Sequence, residues 1–169
     1  MREIGTSTIY TQRLCLRNPK ISDAAELFSA DILGDTLEEA ENAVSNMIRY
    51  NDDPLNFHWV LEYQGNAIGR IKAWEVNTRD NYAQLGYDIG KKYRCKGLMT
   101  EAVRAVIRYL LTEVSFNRVY CMVRESNKPS IRICEKANMI YEGTMRKHFI
   151  ETDGTYSDVL VFGILSSEL

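Results

Sequence analysis

Between Gln84 and Ala102 the chain reads Gln-Leu-Gly-Tyr-Asp-Ile-Gly-Lys-Lys-Tyr-Arg-Cys-Lys-Gly-Leu-Met-Thr-Glu-Ala, an alternating strand, a basic glycine-containing turn and a helix start. That order makes an anion cradle. The first N–H groups of a helix have no partner inside it, and the helix dipole concentrates positive charge at that end. Lys91, Lys92, Arg94 and Lys96 add charge of the same sign, and Gly97 lets a ligand approach the main chain with no Cβ in the way. A phosphate is the ligand this favours. A solvated basic loop ahead of a well-packed helix fits the same residues, and the hexad alone does not separate the two.

Two other places carry reactive side chains. In Asn127-Lys128-Pro129-Ser130 the asparagine reads as a helix N-cap with proline tolerated in the first turn, so the Ser130 hydroxyl stands near the start of that helix. Ser130 can hydrogen-bond a reacting group or relay a proton; otherwise it bonds its own helix backbone. His148, between Lys147 and Phe149, is a candidate proton acceptor because imidazole changes charge near neutrality, the alternative being a surface-strand histidine. His58 beside Trp59 reads as a packed residue. No Gly-x-x-x-x-Gly-Lys-Ser/Thr run and no paired acidic metal site occurs, which argues against a nucleotide triphosphatase and gives no reason to invoke a metal.

The elements that must position these groups follow from periodicity. Residues 8–17 alternate as a strand, and Ser22-Asp23 precede Ala24, Ala25, Leu27 and Phe28 at helical spacing. Thr36-Leu37-Glu38-Glu39 gives a capping box for a second helix with Ala40, Ala43, Val44, Met47 and Ile48 as its apolar stripe. Residues 57–63 and 67–74 flank the turn Gln64-Gly65-Asn66, and residues 82–89 extend the meander by a third antiparallel strand. Ala102, Val103, Val106, Ile107, Leu110, Leu111 and Val114 make one broad helical face. Residues 118–124 read as a buried strand, 127–137 as a helix, and 141–150 with 159–165 as a hairpin closed by Thr152-Asp153-Gly154-Thr155.

A chain of 169 residues, 45% hydrophobic, with no repeat or linker, fits one domain over residues 1–169. The net charge of −2 argues against a general nucleic-acid or anionic-membrane binder, so the basic turn is local and aimed at something small. Cys15, Cys95, Cys121 and Cys134 show neither C-x-x-C spacing nor histidine partners, which suits reduced thiols in a cytoplasmic protein, three of them buried and Cys95 in the turn. No segment approaches a membrane span, and the first residues lack the apolar run of a signal peptide.

The run Arg94-Cys95-Lys96-Gly97-Leu98-Met99 resembles the acyl-CoA-binding signature Arg/Gln-x-x-Gly-x-Gly/Ala of the GNAT superfamily of N-acetyltransferases, with Met99 departing in the last place. Thr11-Gln12-Arg13-Leu14-Cys15-Leu16-Arg17, Thr100-Glu101-Ala102, Asn127-Lys128-Pro129-Ser130 and Glu135 to Gly143 are similar to the RimJ/RimL-type branch, so the resemblance spans nearly the whole chain. It implies an α/β (α+β) GNAT fold, a mixed and mostly antiparallel twisted sheet of about seven strands with helices on both faces. It implies acetyl-CoA as co-substrate, and as partner an amine acceptor, a peptide N-terminus ahead of a small molecule; a homodimer through the sheets or C-terminal strands is the assembly it suggests. The short link between the first two helices departs from relatives whose longer insert helps wall the acceptor pocket.

Under the same resemblance the strands ending at Ile89 and Arg124 are parallel neighbours that splay, and the pantetheine arm adds between them. Asp88, Ile89, Asn127 and Ser130 then join residues 94–100 at the co-substrate. Ser130 is the candidate donor to the departing sulfur, since Cys134 holds the place where many GNAT enzymes carry a tyrosine. Gln84 holds the place of a glutamate base, which leaves His148, with Asp88 and Glu142, as candidates for the amine proton. A neutral N-terminal amine would need only water. A CoA-binding regulatory module without turnover is the reading of a different class, motivated by Gln84, Cys134 and Met99.

Overall fold

The computed structural model describes residues 5–169. The chain enters the sheet through two short strands, β1 (Ile9–Tyr10) and β2 (Cys15–Arg17), because Thr11 turns back on Leu14 with an N–H···O bond of 2.9 Å. Residues 8–17 were expected as one strand, and this turn is why the sheet has eight strands rather than about seven. Next come α1 (Asp23–Ser29) and α2 (Leu37–Tyr50). Ser22 makes no cap; the Asp23 carboxylate instead accepts from the Lys20 N–H at 2.7 Å and from Arg17 at 2.8 Å. Thr36 caps α2 as its type predicts, accepting from the Glu39 N–H, but Glu39 reaches back one residue further, to the Asp35 N–H.

The meander follows as β3 (Phe57–Tyr63), β4 (Asn66–Asn77) and β5 (Tyr82–Ile89). Gln64 and Gly65 both have positive φ, the backbone a two-residue hairpin turn needs to match strand twist. A short 3-10 turn at Lys91–Tyr93 leads to α3 (Leu98–Thr112), β6 (Arg118–Arg124), α4 (Lys128–Lys136), β7 (Ile140–Ile150) and β8 (Tyr156–Leu165). The sheet order is β1-β2-β3-β4-β5-β6-β8-β7, and only β5 and β6 run parallel. The α3 crossover between them supplies the connection that a parallel pair requires.

Alternation along β3 explains why the sheet is covered on both sides. Trp59 and Leu61 point into the larger core, with Val103, Val106, Ile107 and Leu110 of α3 and Cys134 of α4, while Val60 packs with Leu27 of α1 and Ala40 and Val44 of α2. Burying each such side chain contributes about 1.5–3 kcal/mol. Arg17 ties three elements together, with Asp23 of α1 at 2.8 Å and Glu62 of β3 at 2.6 Å. Among the described residues no helix is long and apolar enough to cross a membrane.

Candidate functional site

Parallel pairing between β5 and β6 runs only from Tyr82↔Arg118 to Leu85↔Cys121. Beyond that point β5 continues to Ile89 bonded to β4 and β6 continues to Arg124 bonded to β8, so the two strands part. The fork is a cleft of about 270 Å³ whose walls include Trp74, Gln84, Gly86, Tyr87, Met122, Arg124, Asn127, Ser130 and Phe149. Trp74 stacks directly over Gly86, where a Cβ would lie 2.7 Å from the indole ring.

At the open end of the fork lies the basic turn. Gly97 is the N-cap of α3 in the left-handed region, φ +76°, and Cys95 sits at φ +59°. This pair of reversals keeps the main chain of the turn off the helix. Among the described residues the N–H groups of Cys95, Lys96, Gly97, Leu98, Met99 and Thr100 donate to no acceptor, and the first bond of the helix is Glu101 N–H to Gly97 at 3.0 Å. The side chains of Leu98 and Met99 are buried in the core, so those two residues present only backbone here. Arg94 donates to the Ile89 carbonyl at 3.2 Å, and the Lys92 and Lys96 ammonium groups lie 4.9 and 5.7 Å from the Tyr93 ring centre.

The turn is pinned from outside its own sequence. Glu101 accepts from the Thr11 hydroxyl at 2.6 Å, from the Arg13 N–H at 2.9 Å and from Arg13 Nε at 2.7 Å, while Arg13 donates its other nitrogen to the Lys96 carbonyl at 3.0 Å. Partial burial pushes the Glu101 carboxyl up, but the bonds from Thr11 and Arg13 outweigh it and hold the group below its ordinary value. The separated motifs around Thr11-Arg13 and Thr100-Glu101 are therefore two halves of one brace.

In the middle of the fork Asn127 caps α4, its Oδ1 accepting the Ser130 N–H at 3.2 Å, as its type predicts. The Ser130 hydroxyl lies 2.8 Å from the phenol of Tyr87, a residue the sequence reading left aside. Tyr87 Oη is also 3.5 Å from Cys134 Sγ, so a tyrosine hydroxyl from β5 reaches the neighbourhood of the missing α4 tyrosine. Burial is the main reason the Tyr87 phenol titrates far above its usual range, and it stays a protonated donor. The Cys121 thiol, hydrogen-bonded to Cys134 and fully enclosed, is likewise pushed up. Cys15 is half-buried rather than buried, and Cys95 is exposed.

The base candidates fall in different places. His148 is exposed, its ring edge-on to Phe149 at 5.1 Å, and does not line the cleft. Asp88 is paired with Arg70 at 3.0 Å. Glu142 is gripped through both oxygens by Arg118, whose hydrogen bonds hold that carboxyl below its ordinary value. Gln84 faces the cleft, and the Tyr120 phenol lies 3.1 Å from its amide and 3.1 Å from Glu75, a carboxylate the sequence reading did not single out. A tyrosine two residues into β6, registered against Gln84, was the available signal.

Comparison with known proteins agrees with this architecture. Residues 13–140 match the family model described as an acetyltransferase (GNAT) domain. The chain is 27% identical over 180 residues to an uncharacterized N-acetyltransferase, p20, of Bacillus licheniformis, covering 95% of this chain and 97% of that protein. It is 37% identical over 118 residues to the "Probable N-acetyltransferase YjcK" of Bacillus subtilis, covering 69% of this chain and 65% of that one. The structure of Mycobacterium smegmatis RimJ in complex with CoA-disulfide superposes with a TM-score of 0.89 at 20% identity, over 100% of this chain and 92% of that one. A family match over most of the chain, on a sheet forked between its two parallel strands, makes this protein a member of the GNAT family of N-acetyltransferases.

Proposed function

We propose that the protein transfers acetyl from acetyl-CoA to the amine of a protein or peptide N-terminus, with the diphosphate of CoA held by the main chain of residues 94–100. The observation that carries this reading is the run of six consecutive unbonded N–H groups, Cys95 to Thr100, at the N-terminus of α3 and at the mouth of the fork. The free edges of β5 at Asp88 and Ile89 and of β6 up to Arg124 offer rungs to the amides of a pantetheine arm. Asn127 holds the start of α4 so that Ser130 faces the cleft. The Tyr87 phenol bonded to Ser130 gives that hydroxyl a donor behind it, so a proton can reach the departing sulfur as the carbon–sulfur bond breaks and the carbon–nitrogen bond forms.

Relatives point to two acceptor classes. A RimL structure described as a ribosomal L7/L12 alpha-N-protein acetyltransferase superposes with a TM-score of 0.84 at 17% identity. The Escherichia coli spermidine N(1)-acetyltransferase is 26% identical over 108 residues. The cleft walls favour the peptide: their one charged side chain is Arg124, whereas a polycation calls for several carboxylates. A thiol-release assay with acetyl-CoA against serine-initiated peptides, spermidine, aminoglycosides and amino acids tests this. CoA release that depends on a peptide supports the reading; release with spermidine alone moves the acceptor to small amines; tight CoA binding with no turnover across the panel would leave the non-catalytic module.

Two variants probe the assignment. Ser130→Ala and Tyr87→Phe are each expected to lower the maximal rate about tenfold with little change in CoA affinity. The effect is modest because a thiol with pKa near 8.5 leaves without a strong acid. The double variant should be little slower than either single one, since the two hydroxyls act as a unit; unaltered rates would remove both from the reaction. Glu101→Ala, which frees Arg13 and the turn, is expected to weaken CoA about tenfold by calorimetry with the maximal rate retained.

A further inference from the structure

Three carboxylates near the fork or its strands are tied to arginines: Asp88 to Arg70, Glu142 to Arg118 and Glu151 to Arg124. Glu75 differs. It forms no ion pair among the described residues, and its bonded partner is the neutral phenol of Tyr120 at 3.1 Å. It stands where β4 breaks register between Trp74 and Asn77, with φ +50°. Left-handed backbone at a non-glycine residue is uncommon and clusters at functional sites. This departure turns Glu75 out of the alternation of β4 and towards β6.

The Tyr120 oxygen lies 3.1 Å from both Glu75 Oε2 and Gln84 Oε1. A phenol has one hydrogen, and a carboxylate can only accept. The carboxylate is the stronger acceptor, so the hydrogen goes to Glu75, and a half-turn of the Gln84 amide about its last torsion brings its NH2 group to the same oxygen. Oxygen and nitrogen of an amide are distinguished by such networks. One lone pair of Tyr120 Oη remains, beside Gln84, which lines the cleft.

We propose that Tyr120 meets the acceptor amine and that Glu75, acting through it, draws off the amine's proton, so that this pair takes over the task that Gln84 cannot perform. The inference rests on the acetyl-transfer reading above. In the step one N–H bond of the ammonium breaks and an O–H bond forms on Tyr120 Oη. The tyrosine's own O–H breaks as an O–H forms on Glu75, and the tyrosine ends neutral. The freed nitrogen pair attacks the thioester carbon. Tyr120 stays protonated throughout its working range, since burial and the bond to Glu75 push it up to about 12. The other groups facing it are Tyr82 of β5, with ring centres 5.9 Å apart, and Arg118 of its own strand, 5.6 Å from its ring and held by Glu142. Lys72 lies further along β4 over the Trp74 ring at 4.1 Å.

The test is the pH dependence of CoA release from acetyl-CoA with a serine-initiated peptide and with spermidine, in the wild type, Glu75→Gln and Tyr120→Phe. At about pH 7 each variant should be on the order of a hundredfold slower. The deficit should shrink to a few-fold near pH 9.5 for the peptide, whose amine has pKa near 8 and then arrives neutral. For spermidine, with alkylamines nearer 10, the recovery should be displaced upward. Tyr120→Phe keeps its ring against Tyr82, and circular dichroism checks both variants for folding. An equal deficit at every pH, or none, overturns the relay and leaves acetyl transfer standing. A wild type that binds CoA but releases none with either amine overturns the acetyl-transfer reading, and the relay with it.

Discussion

Gly97→Val is expected to weaken CoA about a thousandfold, measured by calorimetry. Each charge-assisted bond from a main-chain N–H to a phosphate is worth about 1.5–3 kcal/mol, so misaligning two of them gives a loss of this order. The structure supplies a reason beyond the space a Cβ would take. Gly97 is in the left-handed region, where a β-branched residue is strained, so the turn itself must change course. That strain costs about 1–2 kcal/mol of stability. In a chain of this size it lowers the melting temperature by roughly 3–6 °C. The variant should thus remain folded at room temperature, and unchanged CoA affinity in a folded Gly97→Val would remove the cradle from the site.

Acid should destabilise the protein through His58 by about 3 kcal/mol. The ring is 8% exposed, stacked on Tyr50 at 5.8 Å, and its Nδ1 has no hydrogen-bond partner among the described residues. Burial, and then the neighbouring Lys72 and Arg70, lower its pKa from 6.5 to about 4. The unfolded chain takes up a proton near pH 6.5, whereas the folded one resists until about pH 4. The contribution is therefore complete above pH 6.5 and is lost as pH falls towards 4, at about 1.4 kcal/mol per unit. Urea unfolding of the wild type and His58→Phe at about pH 7.5 and about pH 4.5 isolates this share. A difference between the two proteins that does not change with pH would show that His58 carries no such linkage.

Much of the fold was legible because its signals are local. The stripe from Ala102 to Leu111, the Thr36 and Asn127 caps and the Gln64-Gly65 turn each sit within a few residues of the element they create. The strand count was missed at Thr11–Leu14, where a turn interrupts an otherwise alternating segment, and β8 begins at Tyr156, earlier than its apolar run suggests. The basic turn was readable for the same reason as the helices, since its glycine, cations and helix start are consecutive. Tyr87 with Ser130, and Glu75 with Tyr120, were not. Their residues are 43 and 45 positions apart and meet only in the folded chain, Ser130 through the placing of α4 beside β5 and Tyr120 through strand register, and Glu75 points as it does because β4 bulges. Arg13 and Glu101 were noticed as similarity and acquired a physical role only when brought within 2.7 Å.

The parting of β5 from β6 has a mechanical side. Strands β1 to β5 form one half-sheet and β6, β8 and β7 another, and the ladder joining them has four residue pairs. The longer ladders on either side, β4 with β5 and β6 with β8, make each half stiff within itself. Under the proposed function, a pantetheine arm bridging the fork would act as an extra strand and lengthen the seam between the halves. Its loss after turnover would then loosen that joint, so that under this reading catalysis and the rigidity of the whole sheet share one seam.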